Sequence, residues 1–266
     1  MKVSSFIFLG MACFSAAFID AISGGGGLIT VPAYLASGLP PHIALGTNKM
    51  AACFSASSSF AKFAMSGKIN WDLVKKSVMF SFIGAVLGVI TVVKFIETKY
   101  LYPIAIIMLF GVLIYTVYNK NIGYKNEFMG LTSKNIKYAI LMAFTLGFYD
   151  GFFGPGTGSF LIFALIKIFK FDFTNASGNA KVYNLASNIG SIIMFSIFGK
   201  ANYMLALLIG LIMMVGGFLG AKVAVKKGSQ FIKPVFLTIT IIVLTKMILE
   251  SIFHIDVVGK IVELFS

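Results

Sequence analysis

The chain has no arginine, only two cysteines and a single tryptophan, and charged residues make up just 12% of its 266 positions. Soluble globular domains carry about 25% charged residues, so most of this chain cannot form a surface that faces water. Without arginine, no planar guanidinium group can bind an anion through two parallel hydrogen bonds. The two cysteines, Cys13 and Cys53, lie in apolar segments and predict core packing rather than a disulfide framework.

The short motifs of catalysis are missing as well. The sequence has no HExxH, no GxSxG, no GxxxxGK(S/T) and no group of cysteines and histidines at metal-ligand spacing. His42 and His254 have no evident ligand partner in the sequence. We therefore predict a protein that is not an enzyme, that binds no cofactor or metal, and that does not itself hydrolyse ATP.

What the chain has in abundance is apolar sequence. Hydrophobic residues account for 58% of it, and apolar stretches that could form a helix of about 20 residues across a bilayer recur along its length. The net charge of +13 comes from lysine, and many lysines lie at the ends of these stretches, where they anchor helices at the membrane surface. We therefore expect the lipid bilayer, and no nucleic acid, as the partner of these basic residues.

The sequence repeats itself at a spacing of about 130 residues. An ordered series of matched residues is not an effect of membrane-helix composition, so it predicts a duplicated unit. The matches are Phe18-Ile-Asp20 with Phe148-Tyr-Asp150, Gly24 to Gly27 with Gly154-Pro-Gly-Thr-Gly158, Asn48 with Asn179, Lys49 with Lys181, Gly67-Lys-Ile-Asn70 with Gly199-Lys-Ala-Asn202, and Gly84 and Gly88 with Gly216 and Gly220.

We predict an all-α polytopic membrane protein with about eight transmembrane helices in two four-helix repeats. The first repeat covers residues 1–119, a polar linker covers 120–135, and the second repeat covers 136–266. The predicted spans are residues 4–22, 43–65, 72–96 and 100–118 in the first repeat, and 136–153, 175–198, 202–225 and 233–252 in the second.

Each repeat also contains a glycine-rich break, followed by an apolar stretch too short to cross a bilayer, from Leu28 to Ala36 and from Ser159 to Phe169. Two re-entrant segments at matched positions predict a central site. The relative orientation of the repeats stays open, because four spans per repeat preserve it and an odd number of crossings inverts it. For a cytoplasmic amino terminus, the lysines give only a weak excess on the cytoplasmic side.

Asp20 and Asp150 each end a first helix just before a glycine-rich break. Acidic residues within a membrane are costly and indicate function, so we predict proton coupling at both. The alternative interpretation is that each carboxylate caps backbone N–H groups of the break, a role that is compatible with carrying a proton.

The two glycine runs predict sharp backbone turns with free N–H donors at the start of a short helix. Such a helix amino terminus suits an anion, whereas the alternative interpretation is close packing by small residues. The candidate substrate-binding residues in these runs are Gly24, Gly25, Gly26, Gly154, Pro155, Gly156 and Gly158.

The second helix of each repeat begins with amides and a lysine. Lys181, Asn184 and Asn188 line one helical face, as do Asn48, Ser55, Ser59 and Lys62. A buried lysine requires an anionic partner, so the substrate-binding prediction extends to Asn48, Lys49, Asn179, Lys181 and Asn184. Hydrogen bonds between helices are the alternative role of the amides and serines.

These residues resemble the sulfite exporter TauE/SafE family, also known as the toluene sulfonate uptake permease family. The likeness covers nearly the whole chain, through Phe18-Ile-Asp-Ala-Ile-Ser-Gly-Gly-Gly-Gly27, Gly46-Thr-Asn-Lys49, Gly67-Lys-Ile-Asn-Trp71, Gly147-Phe-Tyr-Asp-Gly-Phe-Phe-Gly-Pro-Gly-Thr-Gly158 and Ala176-Ser-Gly-Asn-Ala-Lys181. The resemblance implies a multi-pass permease of the inner (plasma) membrane that carries sulfite, sulfonates or related anions by ion-coupled transport.

We therefore predict a secondary transporter of a small anion, a sulfur oxyanion, an organosulfonate or an organic acid, with protons as a coupling ion. An anion channel and a membrane scaffold without transport are the alternatives, and a homo-oligomer is compatible with the sequence. The sequence leaves open the identity of the substrate, import or export, the coupling ion and the oligomeric state.

Overall fold

The computed structural model describes residues 3–95 and 123–253 of the chain. Within these ranges the structure has nine helices and no strand. In chain order they are α1 (Val3–Ser23), α2 (Gly27–Ala36), α3 (Pro41–Met65), α4 (Trp71–Phe95), α5 (Ser133–Phe152), α6 (Thr157–Phe169), α7 (Phe173–Ile197), α8 (Tyr203–Lys227) and α9 (Ser229–Phe253).

Seven of the eight predicted spans correspond to a helix whose ends lie within four residues of the prediction. The remaining one, residues 100–118, lies outside the described residues. The two short apolar stretches form α2 and α6, which follow the glycine-rich breaks as expected. The described part of the predicted linker, residues 123–132, contains no helix, and α5 begins at Ser133.

Glycine and asparagine form the predicted turns between long helices. Gly67 and Gly199 adopt positive φ angles of 65° and 64°, which a residue with a side chain rarely adopts. Three residues later, the side chains of Asn70 and Asn202 accept hydrogen bonds from the backbone N–H groups of Leu73 and Leu205. Each turn therefore stops one helix and caps the next.

Glycines also allow close contacts between helix backbones. A Cβ atom on Gly88 of α4 would lie 2.2 Å from the carbonyl oxygen of Phe148 in α5. A Cβ atom on Gly220 of α8 would lie 2.2 Å from the carbonyl oxygen of Phe18 in α1. Only glycine fits at these positions, so these glycines serve close packing of the helices.

The order of contacts gives the helix directions. Helices α3 and α7 are antiparallel, because Gly46 near the start of α3 touches Lys200 just after α7, whereas Gly178 near the start of α7 touches Lys68 just after α3. Helix α8 runs parallel to α3, since Gly210 contacts Phe54 and a hydrogen bond joins Ser58 to Met214, further along both helices.

The remaining long helices follow one of these two directions. Helix α1 runs parallel to α8, because Gly216 and Gly220 contact Phe14 and Phe18 in the same order. Helices α4, α5 and α7 run the other way, as shown by contacts of Gly84 with Phe144, Gly88 with Phe148, Ser77 with Tyr183 and Phe82 with Gly190. Consequently α1, α3 and α8 run in one direction and α4, α5 and α7 in the opposite one.

Three of the described helices are long and apolar enough to cross a membrane, namely the segments Ser5–Ser23, Trp71–Phe95 and Tyr203–Lys227. Their outer faces expose large apolar side chains such as Met79, Leu87 and Leu211. Helices α3 and α7 lie between them and carry buried lysine and asparagine. The protein is thus a helical membrane protein with an apolar exterior and a polar centre.

Candidate functional site

Two ion pairs cross the centre of the protein. The ammonium of Lys49 in α3 lies 2.7 Å from a carboxylate oxygen of Asp150 in α5. The ammonium of Lys181 in α7 lies 2.5 Å from a carboxylate oxygen of Asp20 in α1. Each lysine thereby pairs with the acid of the other predicted repeat, and this pairing supplies the counterion that a buried ammonium requires.

The Lys49–Asp150 pair is almost completely removed from solvent. Only 4% of the Lys49 side chain and 3% of the Asp150 side chain are exposed. The second carboxylate oxygen of Asp150 accepts a hydrogen bond of 2.6 Å from the hydroxyl of Ser187 in α7. Within the part of the chain that the structure describes, these are the two partners of the acid, and very little of it is exposed, so its charge depends on Lys49.

The Lys181–Asp20 pair is different. Lys181 is buried, whereas 21% of the Asp20 side chain is exposed. The other oxygen of Asp20 accepts a hydrogen bond of 3.1 Å from the backbone N–H of Gly26. This bond is the cap on the glycine-rich break that the sequence suggested, and Ser187 takes the corresponding place beside Asp150.

The two glycine-rich breaks touch each other. Gly24 and Gly154 have positive φ angles of 79° and 92°, which turn the chain sharply after α1 and α5. The carbonyl oxygen of Gly24 accepts a hydrogen bond of 3.1 Å from the N–H of Ser159. A Cβ atom on Gly158 would lie 2.6 Å from the Gly24 Cα atom, so the contact requires glycine on both sides.

A cavity of about 40 Å³ lies beside these breaks and ion pairs. Since a water molecule needs roughly 10–15 Å³ of such space, the cavity has room for a few waters or a small ion in this conformation. Its lining is Ala16, Ala17, Asp20, Gly24, Gly26, Gly27, Thr30, Asn48, Lys49, Ala52, Ser55, Asp150, Gly154, Gly158, Asn184, Asn188 and Met213.

The cavity brings together most of the residues singled out in the sequence. Both acids line it, and so do seven of the candidate substrate-binding residues, which are Gly24, Gly26, Asn48, Lys49, Gly154, Gly158 and Asn184. The side-chain oxygen of Asn48 is buried and has no hydrogen-bond partner. The site therefore presents an ammonium, amide groups and an unused acceptor to a ligand.

Five candidate residues do not line the cavity. Gly25 faces Ile239 of α9. Lys181 is buried, and its ammonium contacts Asp20. Pro155 accepts a hydrogen bond of 2.8 Å from the hydroxyl of Tyr149, and Gly156 precedes α6 with a positive φ of 87°. These residues shape the break or hold a counterion, and direct contact with a ligand is not available to them in this conformation.

Asn179 is the fifth, and it holds a turn between two helices. Its side chain accepts a hydrogen bond from the N–H of Asn70 and donates one to the carbonyl oxygen of Asn175. The same contact with the other turn is made by Thr47, whose hydroxyl accepts from the N–H of Asn202. Within the predicted repeat, Asn179 therefore makes the contact that Thr47 makes, one residue away from the predicted pairing with Asn48.

Several lining residues were not among the candidates. Ser55 and Asn188 lie on the polar faces that the sequence revealed, and that pattern could have added them. Gly27 and Thr30 follow the first break and extend its lining. The apolar members, Ala16, Ala17, Ala52 and Met213, carry no signal that distinguishes them from ordinary helix-packing residues.

Comparison of the sequence with known proteins relates most of the chain to membrane transporters. The sequence matches the family described as sulfite exporter TauE/SafE over residues 9–247. It is 34% identical over 245 residues to a protein of Sinorhizobium sp. named probable membrane transporter protein ORF9, covering 91% of this chain and 92% of that protein. No solved structure matches the chain.

Two further relatives have similar names. A probable membrane transporter protein of Haemophilus influenzae is 33% identical over 242 residues, which are 90% of this chain and 92% of the relative. The probable membrane transporter protein YfcA of Escherichia coli is 31% identical over 240 residues, which are 89% of this chain and 87% of the relative.

Proposed function

The chain belongs to the sulfite exporter TauE/SafE family, and from this premise we propose that it is an ion-coupled secondary transporter of a small anion. The substrate class that we propose is a sulfur oxyanion, an organosulfonate or a related organic acid. The observation that carries the proposal is the buried ammonium of Lys49, which lines a cavity between two glycine-rich breaks.

The lining of the cavity supports binding of an anion. The ammonium of Lys49 provides a positive charge, and the amides of Asn184 and Asn188 provide hydrogen-bond donors on the opposite helix α7. Since the chain has no arginine, a sulfonate bound here would be held by single donors rather than by a guanidinium fork. Such a site favours a compact anion, in keeping with the small volume of the cavity.

We propose further that the helices form two repeats of opposite orientation, residues 1–119 and 136–266. Helix α1 packs parallel to α8, and in the same way α5 packs parallel to α4. Helix α3 also packs parallel to α8, and α7 correspondingly packs parallel to α4. The matched ion pairs and the contact between the breaks support the same relation. Inverted repeats around a central site are typical of transporters that alternate access between two sides of a membrane.

In this proposal the protein is a multi-pass protein of the inner membrane, and the acids Asp20 and Asp150 are the two candidates for coupling transport to protons. An anion channel is the main competing function, and it would conduct without saturation or coupling. A membrane scaffold is the other, and it would not move the anion at all.

The decisive experiment is transport of labelled sulfite, sulfate, thiosulfate, taurine and sulfoacetate in proteoliposomes, with and without an imposed pH gradient. We expect saturable movement of at least one anion that stops when the gradient is removed. The variant Lys49→Met should abolish this movement, whereas Lys68→Met, at a distance from the cavity, should not. Flux that does not saturate would indicate a channel, and no flux of any anion would contradict the proposed function.

A further inference from the structure

We propose that the transported anion replaces Asp150 as the partner of Lys49, and that Asp150 carries one proton with each anion. This inference rests on the proposed function and deepens it. It names the exchangeable ion pair, the proton carrier and the ratio of protons to anions. The second pair, Lys181 with Asp20, then holds the two halves together and does not exchange.

The two ion pairs differ in where their lysines lie relative to the cavity. Lys49 lines the cavity, and a Cβ atom on Gly154 would lie 2.9 Å from its ammonium nitrogen. The ammonium therefore lies directly over the glycine-rich break, where an anion entering the cavity would meet it. Lys181 is not part of the lining, so an anion in the cavity cannot take the place of Asp20 beside it.

Charge balance then requires a proton. In the observed state Lys49 and Asp150 neutralise each other in a nearly solvent-free environment. An added anion would leave one negative charge without compensation, which is costly where the dielectric constant is low. If Asp150 takes up one proton as the anion binds, the charge of the site stays unchanged, and the neutral carboxyl keeps its contact with the Ser187 hydroxyl.

Among the described residues, no other group around Asp150 offers an alternative counterion. The charged neighbours across the cavity are Asp20 and Lys181, which already pair with each other. The Cys53 thiol on α3 and the Tyr149 hydroxyl on α5 are neutral groups near the acid. Lys49 is therefore the cation whose partner must change.

Asp20 is the competing proton carrier, because 21% of its side chain is exposed and protons reach it easily. However, protonation of Asp20 would leave the enclosed Lys181 without a counterion, and an anion in the cavity could not replace it. Its second oxygen also caps the break through the Gly26 N–H. Geometry thus favours a fixed role for Asp20.

The test is binding of methanesulfonate to the full chain in lipid nanodiscs between pH 6 and 8. Methanesulfonate is a suitable probe because its one sulfonate group stays ionised over this range, so that it carries a single negative charge that one proton balances. For the wild type we expect the Kd to fall about tenfold for each unit of decreasing pH, as coupling to one proton demands. We also expect uptake of one proton per bound anion, measured with an indicator dye at low buffer concentration.

The variant Asp150→Asn mimics the protonated carboxyl. It should bind methanesulfonate with a Kd that is independent of pH within about twofold and no higher than the wild-type value at pH 6. The matched control Asp20→Asn should keep the pH dependence of the wild type. The proton-uptake measurement needs no variant, so it decides the question even if Asp150→Asn does not fold.

Two results would overturn this inference while leaving the proposed function intact. These are binding to the wild type without proton uptake, and loss of the pH dependence in Asp20→Asn but not in Asp150→Asn. Absence of methanesulfonate binding at every pH, together with absence of transport of all five labelled anions, would overturn the proposed function and this inference with it.

A second inference comes from an independent observation, the uneven distribution of lysine between the two ends of the helix bundle. One end contains the carboxyl ends of α3 and α8 and the amino ends of α4, α5, α7 and α9. Among the described residues, thirteen lysines and only three acids, Asp72, Glu127 and Asp172, lie at or near this end. The lysines are Lys62, Lys68, Lys75, Lys76, Lys125, Lys134, Lys137, Lys167, Lys170, Lys222, Lys226, Lys227 and Lys233.

The opposite end, where α1, α3 and α8 begin, has few lysines in the described ranges. Lys94 and Lys200 lie there, and Lys246 lies in the far half of α9. Lys2, Lys99, Lys120 and Lys260 lie outside the described residues. Even if all four belonged to this end, the other would still have the larger number.

We infer that the lysine-rich end faces the cytoplasm, against the anionic headgroups of the inner leaflet. An excess of lysine in short loops marks the cytoplasmic side of a membrane protein. The start of α1 then lies on the outer side. This orientation differs from the cytoplasmic amino terminus for which the sequence indicated only a weak excess of lysine.

Labelling of single cysteines in intact cells tests this orientation. The background variant replaces Cys13 and Cys53 with alanine, and its transport activity is checked first. Ala201→Cys places a thiol in the turn before α8, and Ser133→Cys places one at the exposed start of α5. A membrane-impermeant maleimide should label Ala201→Cys in intact cells and Ser133→Cys only after cell lysis, whereas the reverse pattern would overturn the inference.

Discussion

The two crossed ion pairs have the same chemistry but different surroundings. Lys49 and Asp150 are both at most 4% exposed, and a serine hydroxyl completes the shell of the acid. Asp20 has a fifth of its side chain exposed, and a backbone N–H of the glycine-rich break completes its shell. The Lys49–Asp150 pair is therefore nearly dry, whereas the Lys181–Asp20 pair is more hydrated and caps a turn. This difference can be measured.

The largest effect should come from removing one lysine of each pair. Lys49→Met leaves Asp150 buried without a counterion, and we expect a loss of about 3–5 kcal/mol in the free energy of unfolding. Lys181→Met should cost clearly less, because water and the Gly26 N–H still reach Asp20. Thermal unfolding in detergent at pH 7.5, followed with a thiol-reactive dye that detects exposure of Cys13, measures both.

The double variant Lys49→Met with Asp150→Asn is the control for this comparison. It removes both charges, so most of the lost stability should return. Equal losses for the two single variants would show that the surroundings of the pairs do not differ in energy.

A smaller effect distinguishes the partners of the acids. Ser187→Ala removes the hydrogen bond to Asp150 and should cost about 1.5–3 kcal/mol, the usual range for a bond to a charged group. Ser55→Ala is the matched variant, because Ser55 lies at the corresponding position of α3 but lines the cavity. We expect Ser55→Ala to change stability by no more than about 0.5 kcal/mol. The same thermal assay applies, and equal losses would contradict the assigned contacts.

The glycine contacts should instead be equal in the two halves. Gly88→Ala and Gly220→Ala each introduce a Cβ atom 2.2 Å from a carbonyl oxygen of the facing helix. Overpacking of this kind costs about 1–3 kcal/mol, and we expect similar decreases in Tm. Leu87→Ala and Leu219→Ala, at exposed neighbouring positions, are the controls. A variant of either glycine that keeps the wild-type Tm would show that its helix pair packs less closely than described.

The smallest expected loss of stability distinguishes residues that hold the turns from residues that bind the substrate. Asn179→Leu and Thr47→Val each remove a hydrogen bond to the turn of the other half, at a cost of about 0.5–1.5 kcal/mol. Neither should change the KM for the transported anion. Asn184→Leu, in the cavity lining, should raise that KM severalfold. A raised KM in Asn179→Leu would return this residue to the binding site.

The helices of this protein could be predicted well from the sequence, but their partners could not. The length of the apolar stretches and the glycine or asparagine at their ends predicted the ends of two helices within a few residues. These helices are α3, from Pro41 to Met65, and α8, from Tyr203 to Lys227. The pattern of apolar residues along a helix does not predict which neighbouring helix will pack against each of its faces. The pairing of Lys49 with Asp150 rather than with Asp20 depends on the antiparallel arrangement of α3 and α7.

The candidate site was predictable to the level of residue type. The acids, lysines and glycine runs include most of the polar residues that the structure brings together around the cavity, because charge and flexible backbone are unusual inside a membrane. Gly25 and Asn179 lie away from the cavity for local reasons. Adjacent glycines in a turn face different ways, so Gly24 and Gly26 line the cavity and Gly25 does not. An asparagine in a helix also looks the same whether it binds a ligand or caps a neighbouring turn.

The exchange of helices between the two halves has a consequence for biosynthesis. Helix α1 needs α8, and α4 needs α5 and α7, so the half of the chain that is made first has its packing partners in the half made last. Until then Lys49 has no counterion and the small faces of α4 have no neighbour. Folding of this protein is therefore a late, concerted event that must wait for complete insertion, and a chain stopped after the first half is expected to be a substrate for membrane proteolysis.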